Sequence, residues 1–285
     1  MRRTLTIGMA QFRVRESTPK NVEVAKDLIR EASSLGADVV CLPELFAYRY
    51  FPQRREVSQS ALQEYAHSFN AVVDELRSAC RLYGVSLVAG SLVESDELRY
   101  YNTSVLIDSS GRVVGKYRKT HIPGDECYHE DLYFTPGSSE FKPFQLHGVN
   151  VGALICFDQW FPEPVRAYTL NGAEVIFYPT AIGWVSGIEQ TEGDWKDAWE
   201  LVQRGHAVAN SVLVVTVNRT GVEGRITFWG SSFIADQFGC VIARMGIEEE
   251  GVVVRRTDLN LGEKIREGWR FLSCRRPELY SRVAT

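Results

Sequence analysis

Residues 149–163 read VNVGALICFDQWFPE, an apolar run that breaks at Cys156 and gives way to prolines at 162 and 164. A short continuous apolar run bounded by turn signals marks a strand buried on both faces. Proline suits the first turn of a helix, where its missing N–H would have had no intrahelical partner. The stretch therefore reads as strand, then helix, with the helix ending at Asn171-Gly172. AEVIFYP (173–179) is the next strand and a second helix runs from about Asp194 to Asn210. SVLVVTVN, SSFIAD, CVIARM and GVVVRR follow as strands.

The same order opens the chain. TLTIGMAQF (4–12) is a buried strand, Thr18-Pro19 starts a helix with Val22, Ala25, Leu28, Ile29 and Ala32 at helical spacing, and Gly36 closes it. ADVVCLPE (37–44) is a second strand, and a helix over about 58–83 ends at Gly84. VSLVAGSLVE, TSVLIDSSG and RVVGKYRK complete the half, the last two as a hairpin across Asp108–Gly111. A loop with few signals spans His121 to about Phe144.

Both halves thus read β-α-β-α-β-β-β, without obvious identity between them. Helices on one face of each sheet leave the other faces to pack together. The expected architecture is α/β, a four-layer α-β-β-α sandwich of two pseudo-symmetric halves in a single domain over 1–285. No Pro/Gly/Ser-rich linker divides it. The tail from about 262 to 285 carries aromatics and arginines without core periodicity and is expected to pack at a subunit interface of a homo-oligomer.

Composition narrows the function. The net charge is 32 − 36 = −4, which gives no electrostatic reason for a nucleic-acid or membrane-surface partner. The start, MRRTLTIGMAQFRV, is too mixed for a signal peptide, no run reaches a membrane span, and a cytoplasmic location is expected. The six cysteines are scattered without a C-x-x-C pair, the five histidines form no H-E-x-x-H, and His121 and His129 around Cys127 lack a fourth ligand; no metal is expected. Neither a phosphate loop nor a dinucleotide fingerprint is present, so no cofactor is expected.

Chemistry collects at the carboxyl ends of strands in open sheets. Glu44 closes ADVVCLPE, Lys119 closes VVGKYRK and Cys156 closes VNVGALI. Each alone has a plain structural reading: a solvated acid, a surface lysine, a small buried thiol. Together they describe thiol-dependent acyl transfer. A nearby cation and a helix N-terminus lower a thiol pKa. A carboxylate takes the thiol proton and later activates water. The backbone N–H of Phe157 and the lysine ammonium face a developing oxyanion. No histidine is required.

These residues resemble the carbon–nitrogen hydrolase (nitrilase) superfamily in LPELF around Glu44, GKYRKTHIP around Lys119 and ICFDQWFPE around Cys156. CYHEDLYFTPG resembles the segment whose glutamate supports that triad, which maps onto Glu130. The resemblance implies the four-layer fold, assembly into dimers or larger oligomers, and catalysis by Glu44, Lys119, Cys156 and Glu130. Within the superfamily, DQWFPE, FYPTAIG, RGHA-x-AN and RRPELY are most similar to N-carbamoylputrescine amidohydrolases, which implies a small N-carbamoyl amine as substrate and a role in polyamine biosynthesis.

The segment after TAIG reads WVSGIEQTEGDW, a departure from that subgroup's Ser-Glu-Pro-like start. A cationic substrate tail would then meet Glu189, Glu192 or Asp194, or Asp125 from the other loop. Trp160 and Thr180 complete the candidate substrate contacts. Another small amide, an N-carbamoyl amino acid or a nitrile is the alternative. An anionic substrate would call for an arginine, with Arg49 and Arg54 nearest in sequence. A non-catalytic binding member of the fold is the remote alternative.

Overall fold

In the computed structural model, which describes residues 3–97, 99–191 and 193–284, two mixed sheets lie between helices. In chain order the elements are β1 (Thr4–Gln11), α1 (Thr18–Ser34), β2 (Val39–Cys41), α2 (Gln59–Tyr83), β3 (Ser86–Val88), β4 (Leu92–Asp96), β5 (Arg99–Ile107) and β6 (Val113–Arg118). Two short strands, β7 (Gly124–Asp125) and β8 (Tyr128–His129), form a small hairpin. Then come β9 (Phe144–Leu146), β10 (Val149–Ala153), α3 (Pro162–Leu170), β11 (Val175–Thr180), β12 (Gly183–Val185), α4 (Trp195–Asn210) and β13 (Leu213–Asn218). The chain finishes with β14 (Thr220–Glu223), β15 (Ile226–Trp229), β16 (Phe233–Ala235), β17 (Val241–Arg244), β18 (Gly251–Asp258) and α5 (Asn260–Trp269).

The first sheet runs β18-β1-β2-β3-β5-β4, with β6 paired to β5. The second runs β17-β16-β13-β11-β10-β9. Strand alternation sorts the core into layers. Ala10, Val40 and Leu87 pack with Val22, Ile29, Val73 and Leu76 of α1 and α2. Their neighbours Leu5, Ile7, Met9, Val39 and Cys41 face the other way, against Val151, Val175, Phe177 and Val215 of the second sheet. The four-layer α-β-β-α arrangement follows.

Helix ends obey the expected chemistry. Ser58 caps α2 through the Ala61 N–H, and Gly84 terminates it in the left-handed region at φ 66°. Asp194 caps α4 by accepting from the Lys196 and Asp197 N–H groups. The Asp108–Gly111 turn joins β5 to β6 as read from the sequence.

Three details differ from the sequence reading. VSLVAGSLVE is two strands, because Gly90 at φ 45° turns the chain between β3 and β4. GVVVRR does not finish the second half: β18 returns to the first sheet, antiparallel to β1, pairing Thr4 with Asp258 and Gln11 with Gly251. That crossing staples the two halves together. The tail begins as a helix, α5, which buries Gly262 and Ile265; two buried positions are too few for a visible period. None of the described helices is long and apolar enough to cross a membrane.

Candidate active site

Glu44, Lys119 and Cys156, widely separated in sequence, meet where the carboxyl ends of the two sheets face each other. Lys119 follows β6, and its Nζ donates to Glu44 Oε1 at 2.8 Å and to both oxygens of Glu130 at 2.8 Å. All three side chains are fully buried, so each charge depends on the others for solvation. Burial opposes the charge on Lys119, but Glu130 and Glu44 outweigh it and hold the ammonium above its ordinary range.

Glu44 has one oxygen bound and one free among the described residues. Burial pushes its carboxyl up to about 7, Lys119 pulls it down, and the charge on Glu130 adds to the rise. Its Oε1 accepts from Lys119 Nζ and from Asn102 Nδ2 at 2.8 Å. Its Oε2 has no hydrogen-bond partner among the described residues. One oxygen is anchored and the other is open toward Cys156.

Cys156 sits after β10 at φ 41°, a conformation that non-glycine residues rarely adopt. The turn that follows, Cys156–Trp160, is a single 3-10 turn rather than the start of a long helix; α3 begins later, at Pro162. The strained backbone lifts the thiol toward the cavity, where its Sγ lies 3.8 Å from the Ala181 carbonyl oxygen. The expectation of a lowered thiol pKa is corrected. Burial pushes the Cys156 thiol well above its usual range and the Glu44 charge adds to this, with Lys119 pulling only part of the way back. Burial thus holds both the Glu44 carboxyl and the Cys156 thiol above their ordinary ranges.

Three supports went unassigned in the sequence. Asn102, a buried amide in the apolar β5, bridges Glu44 and Glu130, donating to Glu130 Oε2 at 3.2 Å. The buried Tyr50 hydroxyl donates to Glu130 Oε1 at 2.8 Å, and burial with the Glu130 charge keeps that phenol protonated. Asp158, two residues past the thiol, accepts from Ile155 N and the Tyr117 hydroxyl on one oxygen, and from His121 N and Nδ1 on the other. Tyr117 and His121 flank Lys119, so one carboxylate locks the lysine segment to the cysteine turn. Polar residues inside apolar strands were the available signal for Asn102. Nothing local marks Tyr50.

A cavity of about 420 Å³ opens onto this cluster, with Cys156 and Glu130 at its inner end. Its walls are apolar: Trp160, Ile182, Ile188, Trp195 and Trp229. Phe157 also lines it, beside the thiol. Asp125 and Glu126, on the β7–β8 hairpin, supply acids, and no lysine or arginine is among the described lining residues. Glu126 is engaged by Arg225 at 2.6 Å, whereas the exposed Asp125 has no ion-pair partner among the described residues.

Other candidates fall elsewhere. Thr180 is buried at the end of β11, donating to the Tyr178 carbonyl at 3.0 Å, and Asp194 is spent on capping α4; neither lines the cavity. Glu189 is exposed and outside the lining. Glu192 lies outside the described residues. Arg49 pairs with Glu16 and Glu223 away from the cavity, and Arg54 does not line it. No grouping of three or more metal-ligating side chains occurs among the described residues.

A four-layer fold with a buried acid, amine and thiol at its sheet ends defines a hydrolase of carbon–nitrogen bonds. The carbon–nitrogen hydrolase family matches residues 6–267, and the chain belongs to that family. It is 37% identical to an N-carbamoylputrescine amidase of Arabidopsis thaliana, over 100% of this chain and 96% of that one. It is 34% identical to a citrullinase of Francisella tularensis, over 98% of each chain. A solved amidase mutant from Nesterenkonia sp. AN1, carrying the acetamide moiety of fluoroacetamide on its active-site cysteine, superposes with a TM-score of 0.80 at 28% identity, covering 97% of this chain and 95% of that one.

Proposed function

We propose that the protein hydrolyses a small N-carbamoyl amine, N-carbamoylputrescine or a close analogue, to the free amine, ammonia and carbon dioxide. The observation that carries the substrate class is the cavity: apolar walls, an unpaired Asp125 and no cation among the described lining residues. An aliphatic chain ending in an ammonium matches those walls and that carboxylate. A terminal carboxylate would meet only acids, which disfavours ω-amides of dicarboxylic acids and N-carbamoyl-β-amino acids.

The residues act as follows. Cys156 Sγ attacks the carbamoyl carbon while Glu44 Oε2 takes the thiol proton. The negative charge on the carbonyl oxygen is met by the Lys119 ammonium and the Phe157 N–H. Collapse of the tetrahedral intermediate expels an amine or ammonia, which takes the proton from Glu44, and leaves a carbamoyl thioester on Cys156. Water, deprotonated by Glu44, attacks the same carbon and releases the thiol. The carbamic acid so formed breaks down to the remaining nitrogen base and carbon dioxide. Glu130 holds Lys119 throughout, and Trp160 packs on the substrate chain.

The alternative within the same chemistry is a substrate whose distal end carries both charges, since the citrullinase relative acts through a ureido group on an amino acid by its name. Ammonia release from N-carbamoylputrescine, citrulline, N-carbamoyl-β-alanine and glutamine, each with wild type and Cys156→Ala, tests the reading. Preference for N-carbamoyl-β-alanine or glutamine would overturn it, as would full activity of Cys156→Ala. The tail offers an assembly surface: Trp269, Phe271 and Leu279 are exposed there, and burial in a homo-oligomer is the expected fate of that apolar area.

A further inference from the structure

The end of β13 carries a fully buried arginine that the chemistry above does not use. Arg219 Nη2 donates to the carbonyl oxygens of Glu44 and Leu45, both at 2.7 Å, and Nη1 donates to the Tyr48 carbonyl at 3.2 Å. The turn it holds is strained: Leu45 stands at φ 45°. Nη1 also donates to Glu223 Oε1 at 2.9 Å. The other Glu223 oxygen accepts the Tyr50 N–H at 2.7 Å, and Tyr50 in turn reaches Glu130. The guanidinium thus faces the backbone of one carboxylate of the site and, through Glu223 and Tyr50, the side chain of the other. The preceding residue completes the frame. Asn218 accepts the Ile182 N–H at 3.1 Å and donates to the Ile182 carbonyl at 3.0 Å, fixing the loop whose Ala181 carbonyl faces the thiol.

We propose that Arg219 is a positioning residue for the reaction, which sets the aim of the Glu44 carboxylate at Cys156 by clamping the 44–48 turn from behind. A buried cation with this many acceptors has a plainer role in stability, since its loss would take a donor from three buried carbonyls and leave Glu223 with only Arg49 and the Tyr50 N–H among the described residues. Geometry argues for more than that. The bonds end on the backbone of the base itself, where a small rotation displaces Oε2 from the thiol, and misplacement of about 1 Å costs on the order of 10²-fold in rate. The groups facing Glu44 are Lys119, Glu130, Cys156, Tyr50 and Tyr128, and Arg219 adds a positive charge behind its carbonyl.

The inference rests on Glu44 acting as base toward Cys156, and the test separates the two. Arg219→Lys keeps the charge but cannot span three carbonyls and a carboxylate; Glu223→Gln keeps Arg219 while loosening its hold. For each, kcat and KM for N-carbamoylputrescine and the pH dependence of Cys156 alkylation by iodoacetamide are measured beside wild type and Glu44→Gln. Expected for Arg219→Lys is a kcat reduced about 10²-fold with KM within a few-fold, and an alkylation profile displaced toward that of Glu44→Gln. Glu223→Gln is expected to show the same displacement with a smaller loss. Alkylation needs no substrate, so it reports on the clamp even if the substrate assignment fails. Should Arg219→Lys not fold, Glu223→Gln decides. Lower thermal stability with unchanged kcat and unchanged alkylation profile overturns the proposal.

Discussion

The Lys119 ammonium stands 2.8 Å from Glu44 Oε1 and leaves Oε2 of the same carboxylate without a partner among the described residues. One bond does two things. It offsets part of the rise that burial imposes on the Glu44 carboxyl, and it anchors one of its two oxygens. With burial pushing Glu44 up to about 7, kcat/KM is expected to rise tenfold per pH unit below that value and to level above it. Glu44→Gln is expected to lose on the order of 10²–10⁴-fold in kcat. Its stability has a sign as well. A carboxyl raised on folding holds its proton more tightly in the native state, so Glu44 contributes stability that is lost as pH rises from about 4.5 to about 7. Thermal melts should show Glu44→Gln gaining on wild type between pH 5 and pH 8; a constant difference would contradict a raised carboxyl.

Asp125 is the acid available for a substrate ammonium. Asp125→Asn is expected to raise KM for N-carbamoylputrescine about tenfold, on the order of 1.4 kcal/mol, with kcat little changed. N-pentylurea, of the same length but uncharged, should be indifferent to the substitution. Equal effects on both substrates would remove Asp125 from recognition and point to the segment around Glu192.

Glu44, Lys119 and Cys156, the groups proposed to react, stood out together because each follows a strand and because an acid and a lysine are foreign to a buried core, whereas the cysteine alone would have passed for a core residue. The fold was legible for the same reason that periodicity is physical: Leu5, Ile7 and Met9 face one layer while Ala10 and Val40 face another. What escaped was set by contacts distant in sequence. Arg219 lies 175 residues from the Glu44 carbonyl it holds. The return of β18 to β1 depends on backbone pairing, to which GVVVRR is indifferent. The thiol pKa escaped too, because the burial that raises it is a property of the closed sandwich and not of the turn.

Gly90 lies beneath the turn that carries Glu44. At φ 45° a side chain is strained there, and a Cβ would sit 2.0 Å from the Pro43 carbonyl oxygen. Backbone must then move. Gly90→Ala is expected to lower stability by at least about 1–2 kcal/mol from the left-handed conformation alone. Because the displaced atom belongs to the residue before Glu44, kcat should fall too. Urea denaturation and steady-state kinetics on the same preparation check both. Wild-type kcat in a destabilised protein would show that the turn relaxes away from Glu44.

Asp158 joins the cysteine turn to the lysine segment through four bonds, from Ile155 N, the Tyr117 hydroxyl, His121 N and His121 Nδ1, at 2.7 to 2.9 Å. Asparagine is nearly the same shape but offers one oxygen. In Asp158→Asn its NH₂ must face either the Ile155 N–H and Tyr117 hydroxyl or the two His121 nitrogens, so at least one backbone N–H, that of Ile155 or that of His121, loses its acceptor. Removing acceptors from buried donors costs about 1–3 kcal/mol each, so a marked fall in melting temperature is expected. The catalytic consequence distinguishes a clamp from a filler. Ile155 precedes Cys156, whose φ of 41° has to be imposed by its surroundings. Without the Ile155 bond the turn should relax and carry the thiol away from Glu44. The folded fraction of Asp158→Asn should then lose at least about tenfold in kcat, with slower alkylation of Cys156 at every pH. His121→Ala removes only the ring bond, on a partly exposed residue stacked on Phe161 at 3.8 Å. It should cost stability while sparing kcat. If His121→Ala and Asp158→Asn lowered kcat equally, the thiol would be held by the lysine segment and not by its own turn.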